Sequence, residues 1–279
     1  MEISIVIPIY NTAKNAIRSL DEVIPALRGK YKDFELLFVI DNTGVEKEIQ
    51  ALTLCKNKFS EIKIYQLNKN YGQHFATLCG YYLAKGDFIV CVDEDMSANI
   101  VEVCKTDEYK KFDVFYFYYN KNDMYNSATR KLLSNGYKSI INKVVNLKQH
   151  STFRVISNSL RNKILLDKHI FWNLDVMIFD NTDNIGSTTL YLPDITDEDT
   201  GYDYIKLSKI AFEIAYEHNA ILMNILFALL PSILFFLVVK SWFVTILFFI
   251  VLVIISSAIF RFSRLQTDDT AHKISAAIK

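Results

Sequence analysis

Glycine-rich phosphate cradles are missing from this chain: no Gly-x-Gly-x-x-Gly and no Gly-x-x-x-x-Gly-Lys segment follows any of its apolar runs. That absence argues against a dinucleotide fold and against a P-loop, both of which hold phosphate on backbone amides at a helix start. Net charge is missing as well, because 31 basic residues balance 31 acidic ones. A nucleic-acid partner, which needs a basic surface, is therefore not expected. The first residues lack the basic flank and long apolar region of a signal peptide. Cys55, Cys79, Cys91 and Cys104 show no metal-type spacing. They are expected as free thiols in a reducing compartment, with Cys79 and Cys91 buried in apolar runs. There is no internal repeat and no low-complexity segment.

What the chain does have is a buried-type strand that runs straight into carboxylates: Gly86-Asp87-Phe88-Ile89-Val90-Cys91-Val92-Asp93-Glu94-Asp95. On an extended backbone side chains alternate faces, so Asp93 and Asp95 are expected on one side and Glu94 on the other. Two carboxylates on one face can share a magnesium or manganese ion, which favours one or two carboxylates together with substrate phosphate oxygens. A solvated charged turn is the plainer reading of an isolated Asp-x-Asp, so its surroundings decide.

Those surroundings are short β-rich runs at 3–9, 34–40, 62–67 and 88–92, separated by helix-like stretches at 12–27, 45–58 and 73–85. Such alternation predicts βαβ units and a mostly parallel sheet flanked by helices. In open α/β sheets ligands gather beyond the carboxyl ends of the strands. Pro8-Ile9-Tyr10-Asn11, Asp41-Asn42-Thr43 and Asp93-Glu94-Asp95 all fall at such ends. Without a glycine cradle, a diphosphate here is expected to be held mainly through a metal.

The motifs Ile5-Val6-Ile7-Pro8-Ile9-Tyr10-Asn11, Phe38-Val39-Ile40-Asp41, Asn70-Tyr71-Gly72 and Gly86-Asp87 leading to Asp93-Glu94-Asp95 occur in that order. Their order and spacing resemble family 2 glycosyltransferases of the GT-A fold. Through Arg130-Lys131-Leu132-Leu133-Ser134, Ser151-Thr152-Phe153-Arg154 and two late apolar segments, the chain looks like the polyprenyl-phosphate branch typified by dolichol-phosphate mannose synthases. The resemblance implies an inverting transferase that moves a sugar from a UDP- or GDP-linked donor to a polyprenyl phosphate with Mg2+ or Mn2+. It places Pro8, Tyr10, Asn11, Asp41, Asn70, Gly72 and Asp93 at the nucleotide-sugar and Asp93 and Asp95 on the metal. Arg130 and Ser134 match lipid-phosphate positions, and Arg154 falls in a motif near the acceptor. Asp93, Asp95 and Arg154 are the catalytic candidates. Arg130 as an interfacial charge, Ser134 as a helix-surface residue and Arg154 as a structural ion-pair partner stay open beside these roles.

The chain also departs from the family. Ile40 replaces the first of two aspartates after the second strand, Asn42-Thr43 replaces Gly-Ser, and Thr12 replaces a glutamate. Ser97 stands for a glutamine, Thr152 for an acidic residue before Phe-Arg, and Asp203 for the basic residue of a late Ser-Lys-Tyr motif. A missing acceptor-side carboxylate matters little if the nucleophile is a phosphate monoester, because its second pKa is about 6 and it is largely dianionic already. A sugar hydroxyl would need a base, for which Asp123, Asp175 and His150 are available. His74 either lines the nucleotide site or simply begins a helix. Rival readings are a transferase that extends a lipid-linked glycan at a hydroxyl and a non-catalytic membrane subunit that keeps the fold.

Residues 219–239 and 243–260 contain no charged side chain, and only Lys240, Ser241 and Trp242 separate them. Each approaches the roughly 20 residues that span about 30 Å of hydrocarbon, so a transmembrane hairpin is expected, with Pro231 kinking the first span. Lys206, Lys209, Arg261, Arg264 and Lys273 flank it, against Lys240 in the loop. Both ends are therefore expected on the cytoplasmic face of the plasma (inner) membrane. The stretch 130–148 has helical amphipathicity and suits either the membrane interface or the core, and 204–216 repeats the pattern and is expected to lead into the first span. The expected organisation is a catalytic domain with interfacial helices over 1–212, a hairpin over 213–262 and a tail over 263–279. Homo-oligomerisation is left open.

Overall fold

The structure is a computed structural model that describes residues 1–41, 45–119, 151–166, 174–190, 228–229, 231–233, 235–236, 239–240, 242–265 and 270–278. Strands β1 (Ile3–Ile9) and β2 (Phe34–Ile40) are buried at every position. Both are apolar runs because a strand in a parallel sheet is covered on both faces. They pair in parallel from Ile3 opposite Phe34 to Ile9 opposite Ile40. β3 (Ile62–Gln66) adds to β2 and β4 (Phe88–Cys91) to β1, both parallel. Helices α1 (Lys14–Lys30), α2 (Glu46–Lys58) and α3 (Gln73–Leu83) make the crossovers. These elements match the sequence expectation with ends displaced by at most three residues.

The second half of the sheet is mixed. β6 (Arg154–Ser157) runs antiparallel to both β4 and β5 (Val114–Tyr119), and β7 (Ile185–Leu190) lies parallel to β5. The order across the seven strands is β3-β2-β1-β4-β6-β5-β7. Alternate residues serve two cores: Ile3, Ile5, Ile7 and Ile9 face α1 and α2, whereas Val6, Leu37 and Val39 face α3. On the α3 side lie α5 (Asn158–Leu166) and α6 (Leu174–Asn181). The short α4 (Ile100–Cys104) packs against α1.

One carboxylate stitches the amino ends of these strands. Glu35 Oε1 accepts from the Ser4 hydroxyl at 2.7 Å and from the Lys85 N–H at 2.8 Å, and its Oε2 takes the Lys63 ammonium at 2.6 Å. Burial alone would raise the Glu35 carboxyl, but these bonds hold it below the usual carboxylate range. Ser4 Oγ also accepts from the Gly86 N–H at 2.8 Å. A Cβ on Gly86 would sit 2.5 Å from the Ser4 backbone nitrogen, so the approach of these two strands requires glycine. All four cysteines are free, with Cys79 and Cys91 buried as expected.

Helix α7 (Trp242–Leu265) is 24 residues long. Just before it Lys240 takes a left-handed φ of 53°, and its N–H bonds the Phe236 carbonyl at 2.8 Å. That is a left-handed helix cap. The chain folds back there, and Phe235 stacks on Phe248 with ring centroids 4.4 Å apart. Over the residues whose side chains are described, no helix is long and apolar enough to cross a membrane. In α7 those residues run from Val244 to Ile255. The segments 130–148 and 204–216 lie outside the described residues.

Helix α8 (Thr270–Ala277) returns to the α/β domain. Ile274 and Ala277 are fully buried in the core beside α3 and α5. Ile278 bridges Leu67 just past β3, and the Asn68 N–H bonds the Ala277 carbonyl at 2.8 Å.

Candidate active site

The carboxyl ends of β1, β2 and β4 lie side by side, as the registers of β1 with its two neighbours require. Each carries one of the motifs singled out in the sequence. Pro8 is buried within β1, while Tyr10 is 51 % exposed and Asn11 lies exposed beyond the strand end. Asp41 follows β2 with its carboxylate buried. Its Oδ1 accepts from the Tyr71 N–H and its Oδ2 from the Gly72 N–H, both at 2.7 Å. Burial raises this carboxyl although both amides favour the anion. Asp41 thus grips the loop that carries Asn70 and Gly72, rather than pointing freely at a ligand.

That loop is shaped for its place. Gly72 has φ of 93°, a left-handed conformation that side chains resist, and it precedes α3. Its N–H is shared with Asn70 Oδ1 at 3.0 Å. Tyr71 stacks on Phe75 at 4.6 Å, and Lys69 Nζ lies 4.9 Å above the Tyr71 ring. His74 lies in the first turn of α3, and its Nδ1 accepts from the Leu174 N–H at 3.5 Å.

Extended backbone ends sooner than expected after β4. Asp93 is the residue before a 3-10 helix, Glu94–Asn99, so Glu94 and Asp95 belong to its first turn. The strand alternation expected for Asp93 and Asp95 is therefore corrected. The reason is local: Met96 N–H already bonds the Asp93 carbonyl at 3.1 Å, and the chain coils instead of continuing straight. The carboxylates nevertheless stay close enough to affect one another.

Asp93 is bonded by the Gln73 side-chain amide and by the Thr152 side chain. Burial, reinforced by the negative charge of Asp95, pushes its carboxyl up to about 6. Burial together with Asp95 and Asp93 pushes Glu94 to about 7. One Glu94 oxygen, Oε2, is buried without a hydrogen-bond partner. The repulsion that Asp95 exerts on Asp93 and Glu94, with an orphaned buried oxygen beside it, fits a cation resting on one or two of these carboxylates. Among the described residues no group of three or more His, Cys, Asp or Glu side chains is placed to hold a metal ion. Two carboxylates completed by substrate oxygens is the open arrangement that Mg2+ and Mn2+ use with phosphates. Beside Asp95 a cavity of about 280 Å³ opens against Asn15, Arg18 and Glu22 of α1.

Arg154 lies elsewhere in kind. It is 2 % exposed, and its guanidinium bonds Asp175, itself 5 % exposed, in a buried ion pair. Its Nε donates to the Tyr81 hydroxyl at 3.1 Å, and the Tyr116 hydroxyl donates to Asp175 at 3.2 Å. Arg154 can reach a ligand only by exchanging these partners, and Asp175 is held equally far from acting as a base. Arg130, Ser134, Asp123 and His150 lie outside the described residues. Sequence reasoning missed Gln73 and saw Thr152 only as a departure. Gln73 follows directly on Tyr71-Gly72, and that adjacency was the available signal.

The model of glycosyl transferase family 2 matches residues 4–169. The chain belongs to this family. It is 32 % identical over 111 residues to the undecaprenyl-phosphate 4-deoxy-4-formamido-L-arabinose transferase of Enterobacter sp. (strain 638), over 38 % of this chain and 34 % of that protein. The namesake from Photorhabdus laumondii is 30 % identical over 95 residues, 34 % of this chain and 29 % of that protein. The matched stretches thus span about a third of these relatives. Among solved structures, glucosyl-3-phosphoglycerate synthase from Mycobacterium tuberculosis in complex with phosphoglyceric acid superposes with a TM-score of 0.53 at 16 % identity, over 78 % of this chain and 80 % of that one. The same synthase with Mn2+, uridine-diphosphate and phosphoglyceric acid gives 0.51 at 16 %, over 76 % and 77 %. This family 2 chain has the α/β GT-A fold, a mostly parallel sheet with flanking helices.

Proposed function

We propose that this family 2 enzyme is a membrane-bound inverting glycosyltransferase that moves a sugar from a nucleotide-sugar to a polyprenyl phosphate. The observation that carries the donor side is the Asp93-Glu94-Asp95 turn at the end of β4, with its raised carboxyl groups and the orphaned Glu94 oxygen. Asp93 and Asp95 would hold a divalent cation, which would neutralise negative charge on the departing diphosphate. Gln73 and Thr152 orient the Asp93 carboxylate. Asp41 holds the Asn70–Gly72 loop under the donor, and Tyr10 and Asn11 are exposed on the β1 side of the same opening. In the reaction an acceptor phosphate oxygen attacks the anomeric carbon, and the nucleoside diphosphate leaves with the bonding pair.

The named relatives support a polyprenyl-phosphate acceptor, with Arg130 and Ser134 assigned to its phosphate by resemblance. Arginine suits that task through charge-assisted, often paired hydrogen bonds. Arg154, tied to Asp175, supports the acceptor side as a framework.

Membrane attachment is supported by α7. Its 24 residues span about 36 Å, more than the roughly 30 Å of hydrocarbon. Ile246, Leu247, Ile250 and Ile254 turn large apolar side chains outward. Because α8 packs on the α/β domain, both ends of the chain between β7 and α8 lie on one side of any bilayer, which agrees with a two-span hairpin. The flanking Lys206, Lys209, Arg261 and Arg264 favour the cytoplasmic face for that side. Carbonate treatment should leave the full-length chain in the membrane pellet; its release would remove the hairpin.

The deciding experiment incubates detergent-purified protein with a panel of UDP- and GDP-sugars, manganese or magnesium, and polyprenyl phosphate. Mass spectrometry should find a sugar joined directly to the lipid phosphate. Extension only of a pre-existing lipid-linked sugar would overturn the phosphate acceptor and favour the hydroxyl-acceptor rival.

A further inference from the structure

Helix α8 touches the donor side through a continuous set of bonds. Asn68 meets it twice: its N–H bonds the Ala277 carbonyl at 2.8 Å and its side-chain amide donates to the Ala276 carbonyl at 2.9 Å. The remaining atom of that side chain, Oδ1, accepts from the Tyr71 hydroxyl at 2.9 Å. Tyr71 and Gly72 in turn place their N–H groups on the two oxygens of Asp41. Leu67, at the foot of this loop, bonds the Ile40 carbonyl and bridges Ile278. The docking is not a loose surface contact, because Ile274, Ala277 and Leu67 are fully buried in one core.

We propose that α8 is a positioning element of the donor site, and that Asn68 is the residue through which it sets the Leu67–Gly72 loop. A loop fixed at one end only, by Asp41, would sample several arrangements, and ordering it would then oppose donor binding. With α8 and Asp41 holding its two ends, the loop is arranged before the donor arrives, which lowers the ordering cost of binding. Asn68 suits this position because one side chain both donates to α8 and accepts from Tyr71. The donor site is thus completed by residues that follow the apolar helix α7 in the chain. This inference rests on the nucleotide-sugar reading given above, and it adds to that reading an element outside residues 4–169 of the family match.

The test uses the full-length chain in detergent, with UDP and GDP, each with manganese, as calorimetric probes. Asn68→Ala removes the link while leaving Ile274 and Ala277 to dock. It should weaken diphosphate affinity roughly 5- to 20-fold, the range that one or two net hydrogen bonds supply, and shift the melting temperature by only a few degrees. In turnover, KM for the nucleotide-sugar should rise by that factor with kcat nearly unchanged. Tyr71→Phe, which cuts the link one bond further on, should produce a smaller loss in the same parameter. Ile274→Asp should undock α8 and speed amide exchange at Tyr71 and Gly72. If Asn68→Ala and Tyr71→Phe bind diphosphate as tightly as the wild type, the inference is overturned while the donor reading stands. If the wild type itself binds neither nucleotide, the donor reading falls and the inference with it.

Discussion

Buried carboxylates in this molecule meet two different fates. Glu35, at the amino end of β2, is paired with Lys63, and Asp175 with Arg154, which stands opposite Cys91 at the carboxyl end of β4, so each of these two buried negative charges has a cation built into the fold. At the carboxyl ends of β2 and β4, Asp41 is met by two backbone amides and Asp93 by a neutral amide and Thr152. Burial there leaves the carboxyl groups raised, where Glu35 is lowered. The difference teaches where a cation is to be supplied from solution. Asp93 feels the nearby Arg154 charge as well, yet burial and Asp95 keep its carboxyl raised, which leaves a place for an external ion.

Substitution should separate the two regions, and the largest effect is expected at the strand ends. Asp93→Asn keeps the shape and removes the charge. It should lower transferase turnover by at least roughly 100-fold, the scale of losing a positioned electrostatic group. Because the native carboxyl is raised, the same change should leave thermal stability equal or slightly higher at neutral pH. Assays of turnover and melting on one preparation would check both. The paired region should behave oppositely: Arg154→Ala leaves a buried Asp175 without its cation and should cost about 3–5 kcal/mol of stability. Chemical denaturation would measure it, and a loss below about 1 kcal/mol would contradict the contrast.

These contrasts were only partly legible in the sequence. β1 to β4 and α1 to α3 could be read because strands covered on both faces must be apolar runs, and helices between them show their own period. β6 begins with Arg154, a residue that ordinarily signals the surface, and its partner Asp175 is 21 residues away in another element. Nothing local announces that pair. β7, Ile-Gly-Ser-Thr-Thr-Leu, has too little apolar character to stand out, and Gly186 is required by Phe112 and Phe115, whose rings would lie within 2.6 Å of a Cβ there. The Asp93-Glu94-Asp95 cluster was legible as chemistry but not as geometry, since only the folded chain shows the 3-10 turn. The docking of α8 beside β3 depends on contacts about 200 residues apart in sequence, which no periodicity reveals.

A pH series sharpens the same comparison with a smaller effect. Asp93 rises from an ordinary 3.8 to about 6 and Glu94 from 4.5 to about 7. Both bind protons more tightly in the native state, so their contribution to stability is complete below about pH 4 and is lost as pH rises through 6 and 7. Glu35 works in the other direction, with its stabilisation lost as pH falls below the usual carboxylate range. Divalent-ion affinity should climb between about pH 5 and 8, since the ion competes with these protons. Titrating manganese across that range would check the slope; a flat profile would count against Asp93 as a ligand. The smallest effect is expected at Gly72, where alanine must adopt φ of 93°. Gly72→Ala should cost about 1–2 kcal/mol and weaken donor binding through its loop.

The central claim is that Asp93 and Asp95 take their cation from solution together with a nucleoside diphosphate. Calorimetry of UDP and GDP binding to the full-length protein, with and without manganese, in the wild type and in Asp95→Ala, tests it most directly. The account expects metal-dependent binding in the wild type and its near-complete loss in a folded Asp95→Ala protein. Equal metal-dependent affinity in the two proteins would contradict it.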